Sequence, residues 1–335
     1  MAYDNIIKSY SKDRHILGEE LPLDTPYTIL IDISDMCNLR CKYCFRYDES
    51  IKAEDYRKNR LMDWETFVRV ADQMKGFPGQ FKRIALSHHG EPLCNRLLPE
   101  MARYIKSAGF TGKTDIHTNA LLLDEQYVEE LCEAELDRIV ISIQGLNEEK
   151  YREECGARID FECFYQTLET LYRKKKKTQI HIKTVDEAVD GEKEEFYKLF
   201  SPIADRVFVE SVVPLWTGAD MKEDEFENKY GDVFQIQKCC PLVFYTINVL
   251  PDGTIYPCSH IRPPFRLGNV HDTTLAEAWN SEKKREFLKQ MLLCGRFDAG
   301  ECKNCYIPQN AVMTREDSID GYAEQILGRM LLQES

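Results

Sequence analysis

The chain has 335 residues and carries 57 acidic against 44 basic side chains, a formal charge of −13. That balance argues against nucleic acid as the main partner, and the length allows a large core and more than one domain. Thirteen cysteines, no apolar signal-type core in residues 1–20 and no run of membrane-spanning length point to a cytoplasmic metal-binding protein, not a disulfide-bonded or membrane-bound one.

Residues 1–26 are polar and mixed, broken by Pro22 and Pro26, and form a short lead-in. Residues 27–34 read as a strand, with Ile29, Ile31 and Ile33 on one face and Leu30 and Asp32 on the other. At its C-terminal end stands Cys37-Asn38-Leu39-Arg40-Cys41-Lys42-Tyr43-Cys44. Iron–sulfur clusters are normally held by four cysteines, so a set of three suggests a cubic cluster with one iron left open for chemistry. The rival is a zinc site, which normally pairs C-x2–4-C with a second pair at a distance. Here three cysteines cluster alone with no histidine nearby.

A helix is predicted over 63–74, with Trp64, Phe67, Val68 and Ala71 at helical spacing. Strands over 83–87, 114–117, 138–143, 179–185 and 206–213 then alternate with helices over 95–107, 124–134, 161–172 and 193–200. Six strand–helix alternations imply a parallel α/β sheet with right-handed crossovers, whose ligands collect at the C-terminal strand ends. The unusual residues fall there. His88-His89-Gly90-Glu91-Pro92 follows the second strand, Thr118-Asn119-Ala120 the third, and Ser142-Ile143-Gln144-Gly145 ends the fourth. Together with the cysteine loop, four polar or glycine-bearing patches share one register.

The cysteine loop resembles the signature of the radical S-adenosylmethionine (radical SAM) superfamily, C-x3-C-x-aromatic-C, in Cys37, Cys41, Tyr43 and Cys44. The resemblance implies a partial (β/α)6 TIM-like barrel. It implies a [4Fe–4S] cluster on Cys37, Cys41 and Cys44, whose open iron is chelated by SAM, and cleavage of SAM to a 5′-deoxyadenosyl radical. Gly90 and Glu91 resemble the G-G-E-P segment that holds the SAM amino group, with His89 in place of its first glycine. Thr118-Asn119-Ala120 resembles T-N-G, which makes Asn119 a cofactor contact. Ser142 and Gln144 resemble S-I-D-G, near the SAM ribose and carboxylate, with Gln144 for Asp.

The fifth and sixth strands carry charges that a core strand would not choose. An ionised group inside a barrel costs several kcal/mol unless it is paired or hydrated. Lys183, Glu210 and Asp32 therefore either line the wet mouth of the site as substrate contacts or face solvent at an edge. Beyond the sheet, Trp216 is placed to cover a substrate or simply to pack.

Residues 221–235 are largely acidic and irregular and read as a linker. Cys239-Cys240-Pro241 follows, then a hairpin over 244–257 turning at Pro251-Asp252-Gly253 and entering Cys258, a helix over 275–291, and Cys302-Lys303-Asn304-Cys305. By spacing alone, these cysteines suit a full iron–sulfur site or a zinc ribbon. Gly253-x4-Cys258, the Asn269/Trp279 region and the C-x2-C resemble the SPASM extension or its shorter Twitch form. That implies a small C-terminal α+β domain over 236–312 with one auxiliary [4Fe–4S] cluster on Cys240, Cys258, Cys302 and Cys305. Cys239 can replace Cys240 by a one-residue slip. The radical SAM barrel would then span 27–220, and residues 313–335 form a helical tail.

The resemblance implies hydrogen abstraction leading to oxidation or epimerisation of a polar, sugar-type small molecule, as in single-auxiliary-cluster relatives that act on sugar-like alcohols. A reductase such as flavodoxin or ferredoxin would supply electrons. Epimerisation needs a thiol hydrogen donor. Of the six cysteines left over, Cys239 and Cys294 lie nearest the auxiliary motif in sequence. Two other readings are a peptide or protein modifier, which the short lead-in weighs against, and an iron–sulfur electron carrier or sensor without turnover.

Overall fold

A computed structural model describes residues 4, 14–47, 53–213, 226–231, 233–234, 236–312 and 314–333. Strict alternation along the strands decides how the sheet sits. β1 (Thr28–Ile31), β2 (Arg83–Ala85), β3 (Lys113–Thr118), β4 (Arg138–Ile143), β5 (Gln179–Val185) and β6 (Arg206–Glu210) lie side by side in chain order, all parallel. Ile29, Ile31, Ile84, Ile116, Ile139, Ile141, Ile180 and Ile182 pack into one core with the helices. The alternate positions, among them Asp115, His117, Arg138, Ser142, His181 and Lys183, therefore make up the opposite face.

The helices on the apolar face are α2 (Trp64–Met74), α3 (Leu98–Ser107), α4 (Glu125–Glu133), α5 (Glu148–Cys155), α6 (Phe161–Lys174) and α7 (Lys193–Phe200); a four-residue α1 (Leu17–Glu20) precedes β1. Asp63, Asp124, Asn147 and Asp160 each accept a backbone N–H at the start of α2, α4, α5 and α6. Caps of this kind contribute about 1 kcal/mol each and fix where the helices begin.

β7 (Phe226–Glu227) and β8 (Val233–Phe234) pair antiparallel within the predicted linker. Trp216 and most of the rest of that segment lie outside the described residues. The predicted hairpin forms as β9 (Thr246–Val249) and β10 (Thr254–Tyr256), followed by β11 (Gly268–Asn269). Its first strand lies parallel against β1, with Leu30 opposite Asn248. One nine-stranded sheet results, in the order β11-β10-β9-β1-β2-β3-β4-β5-β6, with β6 at an open edge. The barrel is thus partial, and the cysteine-bearing C-terminal segment continues its sheet.

Before β9, Leu242–Tyr245 make a single turn, α8. The helix expected over 275–291 is two, α9 (Leu275–Trp279) and α10 (Glu282–Cys294), because the Ser281 side chain caps a new start at Lys284 N. After α11 (Ile307–Ala311), α12 (Ala323–Leu332) closes a second core of Leu17, Cys239, Val243, Met291, Ile326 and Met330. Among the described residues no helix is long and apolar enough to cross a membrane.

Lys284 of α10 is buried, with its ammonium 3.3 Å from the centre of the Trp279 ring. Burial pulls its pKa down to about 7 from the ordinary 10.5. The folded state therefore favours the neutral amine, whereas the unfolded chain keeps the proton until pH 10.5 is reached. Stability gains from this group are expected as pH rises through that interval. Anaerobic urea unfolding at pH 7 and pH 9 should show the gain, and Lys284→Met should be more stable at pH 7 and lose this part of the slope.

Candidate active site

The cysteine loop leaves β1 and is held by its neighbours from four sides. Arg40 N and Lys42 N donate to the carbonyls of Cys155 and Glu154 at the end of α5, at 3.1 and 3.0 Å. Glu91 N donates to Met36 O at 2.6 Å, and Asn119 Nδ2 to Asn38 Oδ1 at 2.8 Å. The Tyr43 hydroxyl donates to Gln144 Oε1 at 2.6 Å. The three other patches that share its register in sequence therefore meet the cysteine loop. Gly90 is required by a close approach: a Cβ there would lie 2.3 Å from Ser34 O and 2.6 Å from Met36 O. Ala120 adopts φ +61°, the left-handed backbone for which the T-N-G pattern uses glycine.

Glu91 is buried and accepts from Thr118 Oγ1 at 2.6 Å, Asn119 N at 2.7 Å and Leu93 N at 3.0 Å. Burial still pushes its pKa up to about 7, against the pull of those donors. An ammonium placed beside this carboxyl would favour its charged form. Ser142 is half-buried and stands opposite Lys183 in the β4–β5 register.

Burial pushes Cys37 up to about 12 and raises Cys44 as well. Cys41 is raised by its contact with the Cys155 thiol and by burial. Such thiols ionise only against compensating positive charge, which a metal centre supplies. All thirteen cysteines are free of disulfides.

Asp32 does not lie at a wet mouth. It is fully buried, with Oδ1 accepting from His89 N at 2.9 Å and Oδ2 lying 2.6 Å from His89 Nδ1. The other ring nitrogen of His89 is 2.9 Å from Ser259 O, next to Cys258. Carboxylate and carbonyl only accept, so the imidazolium form satisfies both contacts. Burial works to raise the Asp32 pKa, but His89 holds it below the carboxylate range. His88 Nε2 lies 3.1 Å from the same carbonyl. Both histidines thus tie the loop after β2 to the second cysteine set.

Cys240, Cys258, Cys302 and Cys305 line one pocket, with Arg296 among the walls. The Arg296 guanidinium donates to Cys305 O at 2.7 Å, Cys302 O at 3.3 Å and Gln237 O at 2.8 Å, locking the C-x2-C turn. Among the described residues no three His, Cys, Asp or Glu side chains converge on a point as a single zinc ion requires. Four thiols around a common pocket are a donor set that fits an iron–sulfur cluster. Cys239 turns the other way: its N–H donates to Asp320 Oδ1 at 2.7 Å and its thiol to Met291 O at 3.3 Å, inside the second core. Cys294 ends α10, exposed, beside Phe265 and Leu293 on the outside of the molecule. Cys239 is thus buried in the second core, and Cys294 is exposed at the end of α10.

Lys183 and Glu210 do meet, Nζ to Oε2 at 2.6 Å. Lys229, which sequence reasoning passed over, lies 2.7 Å from the other oxygen. Two further residues it passed over are Asp115, which accepts from Arg83 at 2.8 Å and also from Arg138, and His117 on the same face. The available signal was polar–apolar alternation in Asp115-Ile116-His117.

The radical SAM superfamily model matches residues 31–200, half of the chain, and the chain belongs to that superfamily. An iron–sulfur cluster-binding domain model, SPASM, matches residues 239–306. A curated relative, the tungsten-containing aldehyde ferredoxin oxidoreductase cofactor-modifying protein of Pyrococcus furiosus, is 30% identical over 118 residues, 35% of this chain and 31% of its own length. The matched stretch thus spans about a third of that relative. Among solved structures, BtrN in complex with AdoMet and 2-DOIA aligns with TM-score 0.55 at 19% identity, covering 88% of this chain and 97% of BtrN. anSMEcpe with bound AdoMet and Cp18Cys peptide aligns with TM-score 0.57 at 18% identity, covering 92% and 97%. These likenesses are of fold.

The protein is accordingly a radical SAM enzyme whose cofactors are SAM, a SAM-binding [4Fe–4S] cluster and auxiliary iron–sulfur. The two neighbouring cysteines give a direct check. Cys240→Ala is expected to lower the iron content of the anaerobically purified protein by about four per chain, whereas Cys239→Ala leaves it unchanged. Equal iron in both variants contradicts the assignment.

Proposed function

We propose that this enzyme oxidises or epimerises a polar, sugar-type small molecule held on the polar face of the sheet. Bound at the cluster, SAM would supply hydrogen-atom abstraction from the substrate. Cys37, Cys41 and Cys44 would hold the cluster at the C-terminal end of β1. Gly90, Glu91 and Asn119 would orient the SAM methionyl end, and Tyr43, Ser142 and Gln144 its ribose side. Cys240, Cys258, Cys302 and Cys305 would hold one auxiliary cluster.

The observation that carries the reading is the placement of the charged side chains. Lys183 and Glu210, near the C-terminal ends of β5 and β6, pair on the face opposite the helices. The hairpin that leads into Cys258 extends the same sheet past β1. A polar substrate there would have hydrogen-bonding groups to position it, and the chain's role is to orient it and exclude competing reactions.

The test is anaerobic incubation of reduced enzyme with SAM and a panel of cyclitols, sugars and sugar derivatives. Oxidation gives 5′-deoxyadenosine together with a product that has lost a hydrogen pair. Epimerisation in deuterated water gives a product of changed configuration with one solvent deuterium. Modification of peptides alone, with no small-molecule turnover, overturns the reading.

A further inference from the structure

On the polar face of the sheet, two lysines share one carboxylate. Lys183 Nζ donates to Glu210 Oε2 at 2.6 Å, and Lys229 Nζ lies 2.7 Å from Oε1. Glu210 is buried, and although burial opposes ionisation, the two ammoniums hold its pKa at about 2, so it stays anionic. The group of three therefore carries one net positive charge. Each ammonium has three N–H donors, and Glu210 takes one from each.

The same excess recurs toward the N-terminal end of the strands, where Asp115 is shared by Arg83 and Arg138. A chain with a net charge of −13 thus turns positive charge onto this one face. Beside Lys183, two residues earlier on β5, His181 is 4% exposed and its Nδ1 has no partner. Buried polar atoms are normally satisfied, so this one leaves a contact for a water or a ligand group.

We propose that the substrate is a small organic anion whose carboxylate or phosphate is seated on Lys183 and Lys229, with a further polar group reaching His181. The proposal rests on the function given above and narrows it. A cationic amine would meet uncompensated like charge at this position, whereas an anion completes the two-to-one arrangement. Lys229 is the accessible member, with 29% of its side chain exposed, and Glu210 fixes both ammoniums from beneath.

The test uses the anaerobic holoenzyme with SAM and four probes: glucose 6-phosphate, gluconate, glucose and glucosamine. In titration calorimetry, at least one anionic probe is expected to bind about tenfold more tightly than glucose, a difference of about 1.4 kcal/mol. Whichever anion leads tells phosphate from carboxylate recognition. Lys229→Gln should remove most of that preference, and Lys183→Gln with Lys229→Gln all of it, in protein whose circular dichroism is unchanged. Should the double variant fail to fold, the more exposed Lys229→Gln alone decides. Tighter binding of glucosamine, no saturable binding of either anion, or an anion preference that survives Lys229→Gln overturns the proposal. Release of 5′-deoxyadenosine by the unaltered enzyme, measured in the same preparation, reports separately on the radical reading.

Discussion

Cys41→Ala is expected to abolish release of 5′-deoxyadenosine while leaving a folded protein that retains about half of its iron. The half retained belongs to the second cysteine set, whose pocket is built from Cys240, Cys258, Cys302 and Cys305 and shares none of its walls with the first loop. The fold should survive because the loop is held by backbone bonds to α5 and by Asn38 and Tyr43, none of which uses the Cys41 side chain. Cys155, whose thiol touches Cys41 and donates to Tyr151 O at 3.0 Å, offers an internal control. Cys155→Ala should keep the full iron content. Iron analysis and product chromatography on the two variants decide the matter, and SAM cleavage persisting in Cys41→Ala would contradict the assignment.

The second large effect is expected at His89. Removing one partner of a buried, hydrogen-bonded ion pair typically costs about 3–5 kcal/mol, because the remaining charge is left without compensation. His89→Gly, which restores the glycine of the superfamily pattern, would leave the fully buried Asp32 with only the backbone N–H of residue 89 and Ser259 O with only His88. A loss of this size should appear in anaerobic urea unfolding at pH 7, together with weaker retention of auxiliary iron. The pH dependence follows from Asp32. Its folded pKa is lowered from the ordinary 3.8, so its stabilisation is present above that value and is lost as pH falls through the lower folded value. Asp32→Asn should remove this acid-side slope. A loss below about 1 kcal/mol in His89→Gly would show that the pair is not the tie between the two cysteine sets.

Much of this arrangement was legible before any coordinates. The alternation of strand and helix matches the parallel order, and the strand-end patches, each weak alone because loops are polar anyway, draw their weight from a shared register. Tyr43 and Gln144, singled out on separate grounds, turn out to share a hydrogen bond. What escaped is equally physical. α5, over Glu148–Cys155, has almost no apolar periodicity, so nothing in its hydrophobic pattern announces a helix. Its only signs are the cap residues Asn147 and Gly156, the latter at φ +72°. Yet this helix supports the cysteine loop.

The pairing of β9 with β1 joins residues more than two hundred positions apart, and no local propensity can encode it. Nor could spacing separate Cys239 from Cys240. In the structure Cys240 lines the pocket with Cys258, Cys302 and Cys305, whereas the Cys239 thiol donates to Met291 O. Asp32 read as a charge out of place because its partner, His89, stands where the superfamily pattern has glycine.

The central claim is that three closely spaced thiolates leave one iron free for SAM. Its most direct test is to reduce anaerobically purified protein carrying about eight irons per chain, the content of two cubanes, add SAM, and measure 5′-deoxyadenosine. Its release, together with methionine, is the predicted result. A fully iron-loaded, reduced protein that binds SAM but leaves it intact would contradict the claim.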